Sequence, residues 1–113
     1  MKLKIAVLPG DGIGKEITDQ GVKVLQAIAK KFNHQFTFTT ADIGAAAIEK
    51  TGNPLPDATL EVCKKSDAVL FGAIGDPKYD NDPDARVRPE QGYLKLRKNL
   101  DLFVNIRPIR VFE

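Results

Sequence analysis

LKIAVLPGDGIGKEITDQGVKVLQAIAKKF, residues 3–32, changes its hydrophobic period once, and that change decides the fold. Leu3 to Leu8 is a nearly continuous apolar run closed by Pro9-Gly10, the pattern of a strand buried on both faces. From Gly14 onward, Ile17, Gly21, Val24, Leu25, Ile28 and Phe32 recur at helical intervals. Lys15, Asp19, Lys23, Lys30 and Lys31 fall largely on the other side. A buried strand therefore feeds an amphipathic helix, whose apolar face is predicted to lie on the sheet.

The rest of the chain repeats that alternation. Gln35 to Thr40 sets Phe36 and Phe38 among threonines and reads as a second strand. An alanine-rich helix is predicted over Gly44 to Lys50, stopped by Thr51-Gly52-Asn53-Pro54, and a short one over Asp57 to Lys65. DAVLFGAI, residues 67–74, is another buried strand. Gly75 to Pro89 is read as loop, Gly92 to Leu100 as a helix and Leu102 to Val111 as a final strand. The expected architecture is α/β: a largely parallel sheet with covering helices. Because the chain stops directly after a predicted strand, it reads as a piece of a larger protein.

Composition narrows the function classes. A net charge of +2 with lysines interleaved among acids carries no polyanion signature, so nucleic acid is not the expected partner. No run approaches the roughly 20 apolar residues of a membrane span, and the N-terminus enters a strand too soon for a signal peptide. One cysteine, Cys63, precludes an internal disulfide framework and fits a reducing, cytoplasmic setting. It sits at an ordinary helix position.

Two motifs invite chemistry and fall short. PGDGIGKE, residues 9–16, suggests the dinucleotide fingerprint G-x-G-x-x-G, but Lys15 stands where its third glycine belongs. Asp11 also puts a negative charge inside the turn that would receive a phosphate, although Asp42 could mimic the ribose-binding acid. In the 76–85 loop, Asp80, Asp82 and Asp84 copy the first ligands of a calcium-binding loop, yet Pro83 interrupts and the glycine position is Ala85.

The third stretch, RPEQGYLKLRKNLDLFVNIRP (88–108), is more informative. At 100° per residue, Tyr93, Leu96, Arg97 and Leu100 share one helical face, so Arg97 lies on the apolar side while Lys95 and Lys98 face solvent. Arg107 falls in an extended segment held by Pro108. A guanidinium in apolar surroundings needs a carboxylate, a phosphate or a water-filled cleft. Two arginine forks would suit a dicarboxylate. Internal salt bridges to Glu90 or Asp101 explain the spacing equally well.

Together with LPGDGIGKEI (8–17) and DAVLFGAIGDPK (67–78), this stretch resembles the isocitrate/isopropylmalate dehydrogenase family of β-decarboxylating dehydrogenases, and within it the leucine-pathway branch. The likeness runs in order through all 113 residues. It implies that residues 1–113 form the N-terminal partial domain of a larger two-domain enzyme, on a fold distinct from the ordinary dinucleotide-binding one. It further implies NAD-dependent oxidation of a substituted malate, 3-isopropylmalate, with Mg²⁺- or Mn²⁺-assisted loss of its β-carboxylate, in a cytoplasmic homodimer. By this resemblance Arg97 and Arg107 clamp the substrate carboxylates, and Tyr93 and Leu94 adjoin the substrate. Glu90 meets the nicotinamide, Asp76, Pro77 and Lys78 line the cofactor site, and Ile13 lies near the adenine. The proton-handling residues and metal ligands are expected outside this chain, leaving it with half a substrate clamp. Tyr93 departs from the leucine usual in that branch, which keeps open a sibling acting on tartrate, malate or homoisocitrate. A small nucleotide-binding module built on the GDGIG turn is the non-enzymatic alternative.

Overall fold

The computed structural model describes residues 1–112. Three parallel strands form one sheet, β1 (Lys2–Gly10), β2 (Gln35–Thr40) and β3 (Ala68–Ala73), in the order β2-β1-β3. Helix α1 (Gly14–Lys31) joins β1 to β2, and α2 (Ala45–Thr51) and α3 (Asp57–Lys64) lead from β2 to β3. Beyond β3 lie the short α4 (Pro77–Asp80) and α5 (Pro89–Asn99).

The apolar run in β1 has the expected cause. As the central strand it is covered on both faces, and Ile5, Ala6, Val7 and Leu8 are all buried. Ala6 and Leu8 join Ile43, Leu55, Cys63 and Leu96 in one core, with Val69 and Phe71 of β3 packed against it. Alternation sends Val7 and Leu70 to the opposite face, beneath α1. Cys63 is structural: it is buried, and desolvation pushes its thiol pKa above the usual range.

Three details differ from the sequence reading. The face that α1 turns to the sheet carries small residues: Gly14 and Thr18 are buried, and an added Cβ at Gly21 would stand 3.3 Å from Leu70. That close approach displaces the larger residues outward, leaving Val24 59% and Phe32 58% exposed. Second, α5 begins at Pro89, not Gly92, because proline suits the first helical position and Gln91 accepts from the Arg88 N–H at 3.2 Å. The loop before it also contains α4, started by Asp76, whose side chain accepts from the Lys78 N–H at 2.8 Å.

Third, residues 102–111 are not a strand. The chain leaves α5 through Asp101 at φ 52°, with Leu102 N–H donating to Arg97 C=O and Asp101 N–H to Lys98 C=O. After that closure the segment runs exposed, and among the described residues no strand pairs with it. Extended, apolar sequence makes a strand only where a neighbour completes its hydrogen bonds.

Candidate functional site

The connection order creates the crevice. From β1 the chain passes to β2 on one side and later returns to β3 on the other, so the strand order reverses at β1. In open parallel sheets, ligands bind outside the carboxyl ends of the strands at such a reversal. Gly10 to Gly14 leave the end of β1, and Ile74 to Lys78 leave the end of β3.

Asp11 ties these pieces together. Its carboxylate, buried in the turn, accepts from the N–H groups of Ala45 at 2.9 Å, Ala46 at 3.0 Å and Gly75 at 3.0 Å. One acid thereby caps α2, where negative charge meets the positive end of the helix dipole, and holds the segment leaving β3. The charge that looked hostile to a phosphate is already committed to backbone donors. Asp11→Asn should lower stability by about 2–3 kcal/mol, since one amide N–H then faces a donor and the charge is gone. Chemical denaturation and faster hydrogen exchange at the Ala46 amide provide the check.

The predicted cofactor residues gather along this edge. Ile13 precedes the first turn of α1 and is 63% exposed. Asp76 and Pro77 start α4, and Lys78 reaches Glu49 at 3.7 Å. Glu90, half-buried at the start of α5, brings Oε1 within 3.2 Å of a Cβ position at Gly75. Among the described residues no ion pair neutralises it. Arg88, which sequence spacing did not single out, closes the loop by donating to the carbonyls of Tyr79 at 2.7 Å and Asp82 at 3.1 Å. Asp82 spends its own side chain on the Asp84 N–H at 3.0 Å, a local turn in place of the calcium-loop resemblance.

On α5 the alternatives for Arg97 separate. Among the described residues neither Glu90 nor Asp101 pairs with it. Its Nη1 donates to Tyr93 Oη at 3.1 Å, and its Cζ lies 5.6 Å from the centre of that ring. The guanidinium is half-buried, oriented and free of a carboxylate, beside a groove lined by Phe71, Leu96, Leu100 and Asn105. Leu94 points away from that core and is 57% exposed. Arg107 is exposed on the segment after α5 and does not line the groove.

An exposed apolar residue at the turn, a free carboxylate at Glu90 and open space above Gly12 fit the adenine and nicotinamide ends of a dinucleotide. Among the described residues no cluster of three or more His, Cys, Asp or Glu side chains could cradle a metal ion.

The fold is a parallel α/β unit whose strand order reverses at β1, with Arg97 on α5 held by Tyr93. The family model described as isocitrate/isopropylmalate dehydrogenase matches residues 4–113, and the chain belongs to that family. It is 58% identical over all 113 residues to the 3-isopropylmalate dehydrogenase of Bacteroides fragilis (strain YCH46), covering 32% of that protein. Identity to the Bacillus subtilis (strain 168) enzyme of the same name is 52% over the whole chain and 31% of the relative. The chain therefore spans about a third of the length of the curated relatives it matches.

Solved structures agree on the fold. A β-decarboxylating dehydrogenase from Thermococcus kodakarensis superposes with a TM-score of 0.69 at 37% identity, over 88% of this chain and 27% of the other. Isocitrate dehydrogenase from Methylococcus capsulatus gives 0.68 at 35% identity, over 88% and 26%.

Proposed function

We propose that the protein carrying this chain is an NAD-dependent 3-isopropylmalate dehydrogenase of leucine biosynthesis, with residues 1–113 as its N-terminal partial domain. The observation that carries this reading is identity above one half, through the whole chain, to relatives of that name. The unpaired Arg97 gives it a chemical footing.

In this reading Arg97 and Arg107 bind the substrate carboxylates and orient C2 toward the nicotinamide, with Tyr93 and Leu94 beside the 3-substituent. Glu90 would hold a carboxylate toward the nicotinamide end of bound NAD, whose ring is cationic before it accepts a hydride. Ile13 packs on the adenine, while Asp76, Pro77 and Lys78 line the cofactor's path. Bound NAD supplies the hydride acceptor. Mg²⁺ or Mn²⁺, its ligands and the proton-transfer residues come from outside this chain, in a cytoplasmic homodimer. The isolated 113 residues are accordingly inactive and bind NAD weakly.

The test is NADH formation by the complete protein with 3-isopropylmalate and Mg²⁺. Robust turnover is expected, with dependence on both additions. Turnover of NAD with another diacid but none with 3-isopropylmalate would reassign the substrate, and tight calorimetric binding of NAD by the isolated chain would contradict the half-site reading.

A further inference from the structure

We propose that Arg88 is a positioning residue for the dinucleotide: its guanidinium clasps the loop between α4 and α5 in the shape that presents Asp76, Pro77, Lys78 and Glu90 to the cofactor. The inference rests on the cofactor reading proposed above and adds to it what holds that edge of the crevice in place.

Residues 80–87 have no apolar anchor. None of them is buried, and Asp80, Asn81, Asp82, Pro83 and Asp84 are all exposed. A segment that buries so little keeps one shape only through its hydrogen bonds. Several of those are local. Asp82 Oδ1 accepts from the Asp84 N–H at 3.0 Å, and the Asp82 carbonyl accepts from the Ala85 N–H at 3.3 Å. Such turns fix a few residues and leave the arm free to swing about its ends.

Arg88 supplies the bonds that cross the loop. From the start of α5, Nη1 donates to the Tyr79 carbonyl at 2.7 Å and Nη2 to the Asp82 carbonyl at 3.1 Å. One planar fork thereby ties α4, and the chain just beyond it, to the N-terminus of α5. Gln91 steadies the backbone from which the fork reaches. Its Oε1 accepts from the Arg88 N–H at 3.2 Å, and its Nε2 donates to the Arg86 carbonyl at 3.4 Å. Glu90 stands between these two residues, so the same clasp sets its helix end against the 76–78 segment. Among the described residues Arg88 pairs with no carboxylate, although Asp76, Asp80, Asp82 and Asp84 are close in sequence. Its donors are spent on backbone shape.

A ligand that needs an ordered loop binds in proportion to the fraction of time the loop is ordered. The diacid, held through Arg97 further along α5, does not draw on that fraction. Steady-state kinetics of the complete enzyme with NAD, 3-isopropylmalate and Mg²⁺ tests this in Arg88→Ala and Arg88→Lys. Arg88→Ala should raise the KM for NAD about 10-fold, the result of an ordered fraction falling to roughly a tenth. The KM for the diacid should move by less than about twofold. Arg88→Lys should recover part of the loss, since one ammonium cannot fork two carbonyls. Amide exchange over residues 80–87 should quicken in Arg88→Ala and slow again when NAD is added. An active wild type with an unmoved KM for NAD in Arg88→Ala overturns the inference alone. So does an equal rise in both KM values, which marks a merely structural residue. A wild type that neither binds nor reduces NAD overturns the proposed function and the inference with it. Should Arg88→Ala fail to fold, the KM pattern of Arg88→Lys decides.

Discussion

Gly10→Ala is expected to abolish folding or to cost more than about 4 kcal/mol, a large share of the roughly 5–15 kcal/mol that holds a domain together. Gly10 adopts φ +71°, and an added Cβ would stand 1.9 Å from the Ala73 carbonyl oxygen. That oxygen is backbone, fixed by the Gly10↔Ala73 register and by the Asp11 N–H that donates to it at 2.8 Å. It has no rotamer to yield, so β3 must shift and the crevice edge opens. Gly12→Ala separates the two causes. Gly12 also has positive φ, +53°, but nothing lies within 4 Å of its added Cβ. Backbone strain alone should then cost about 1 kcal/mol. Urea unfolding of both variants makes the comparison, and equal losses would remove the close approach from the explanation.

Arg97→Ala is expected to lower kcat/KM for the diacid substrate by about 30- to 100-fold in the complete enzyme. A charge-assisted contact stabilises by roughly 2–3 kcal/mol, and each 1.4 kcal/mol is a factor of about ten. Arg97→Lys should recover part of the loss, because the ammonium keeps the charge without the planar fork. The structure adds a second expectation that the sequence could not. Arg97 has no carboxylate partner among the described residues, so its removal should leave the melting temperature within a few degrees. Wild-type kinetics with a large loss of stability would mark Arg97 as an internal tether instead.

The parallel α/β class was legible because hydrophobic period is a local property. A continuous run, a 3.6-residue recurrence and a glycine turn stand next to one another in residues 3–32. The exact rotation of α1 was not: Gly21 lies on the expected face, but the sheet's closeness also turns Gly14 and Thr18 inward and leaves Val24 and Phe32 outside. Residues 102–111 failed for a related reason. Propensity describes one strand, whereas a strand exists only as a pair.

The site divides along the same line. Spacing alone identified Arg97 as a cation on an apolar face and set it beside Tyr93, because four residues on a helix are neighbours whatever surrounds them. Family likeness supplied its meaning, and spacing left salt bridge and anion site equal. Asp11 could not be assigned from sequence: its donors lie 34, 35 and 64 residues away, and no local rule connects them. What the sequence determined was the three strands of the sheet and the longer helices, which follow from neighbours along the chain. The tertiary structure alone decided which strand lies beside which, which acid satisfies which backbone, and that Arg97 meets a tyrosine and not a carboxylate among the described residues. Those outcomes depend on groups that meet only when the sheet has formed.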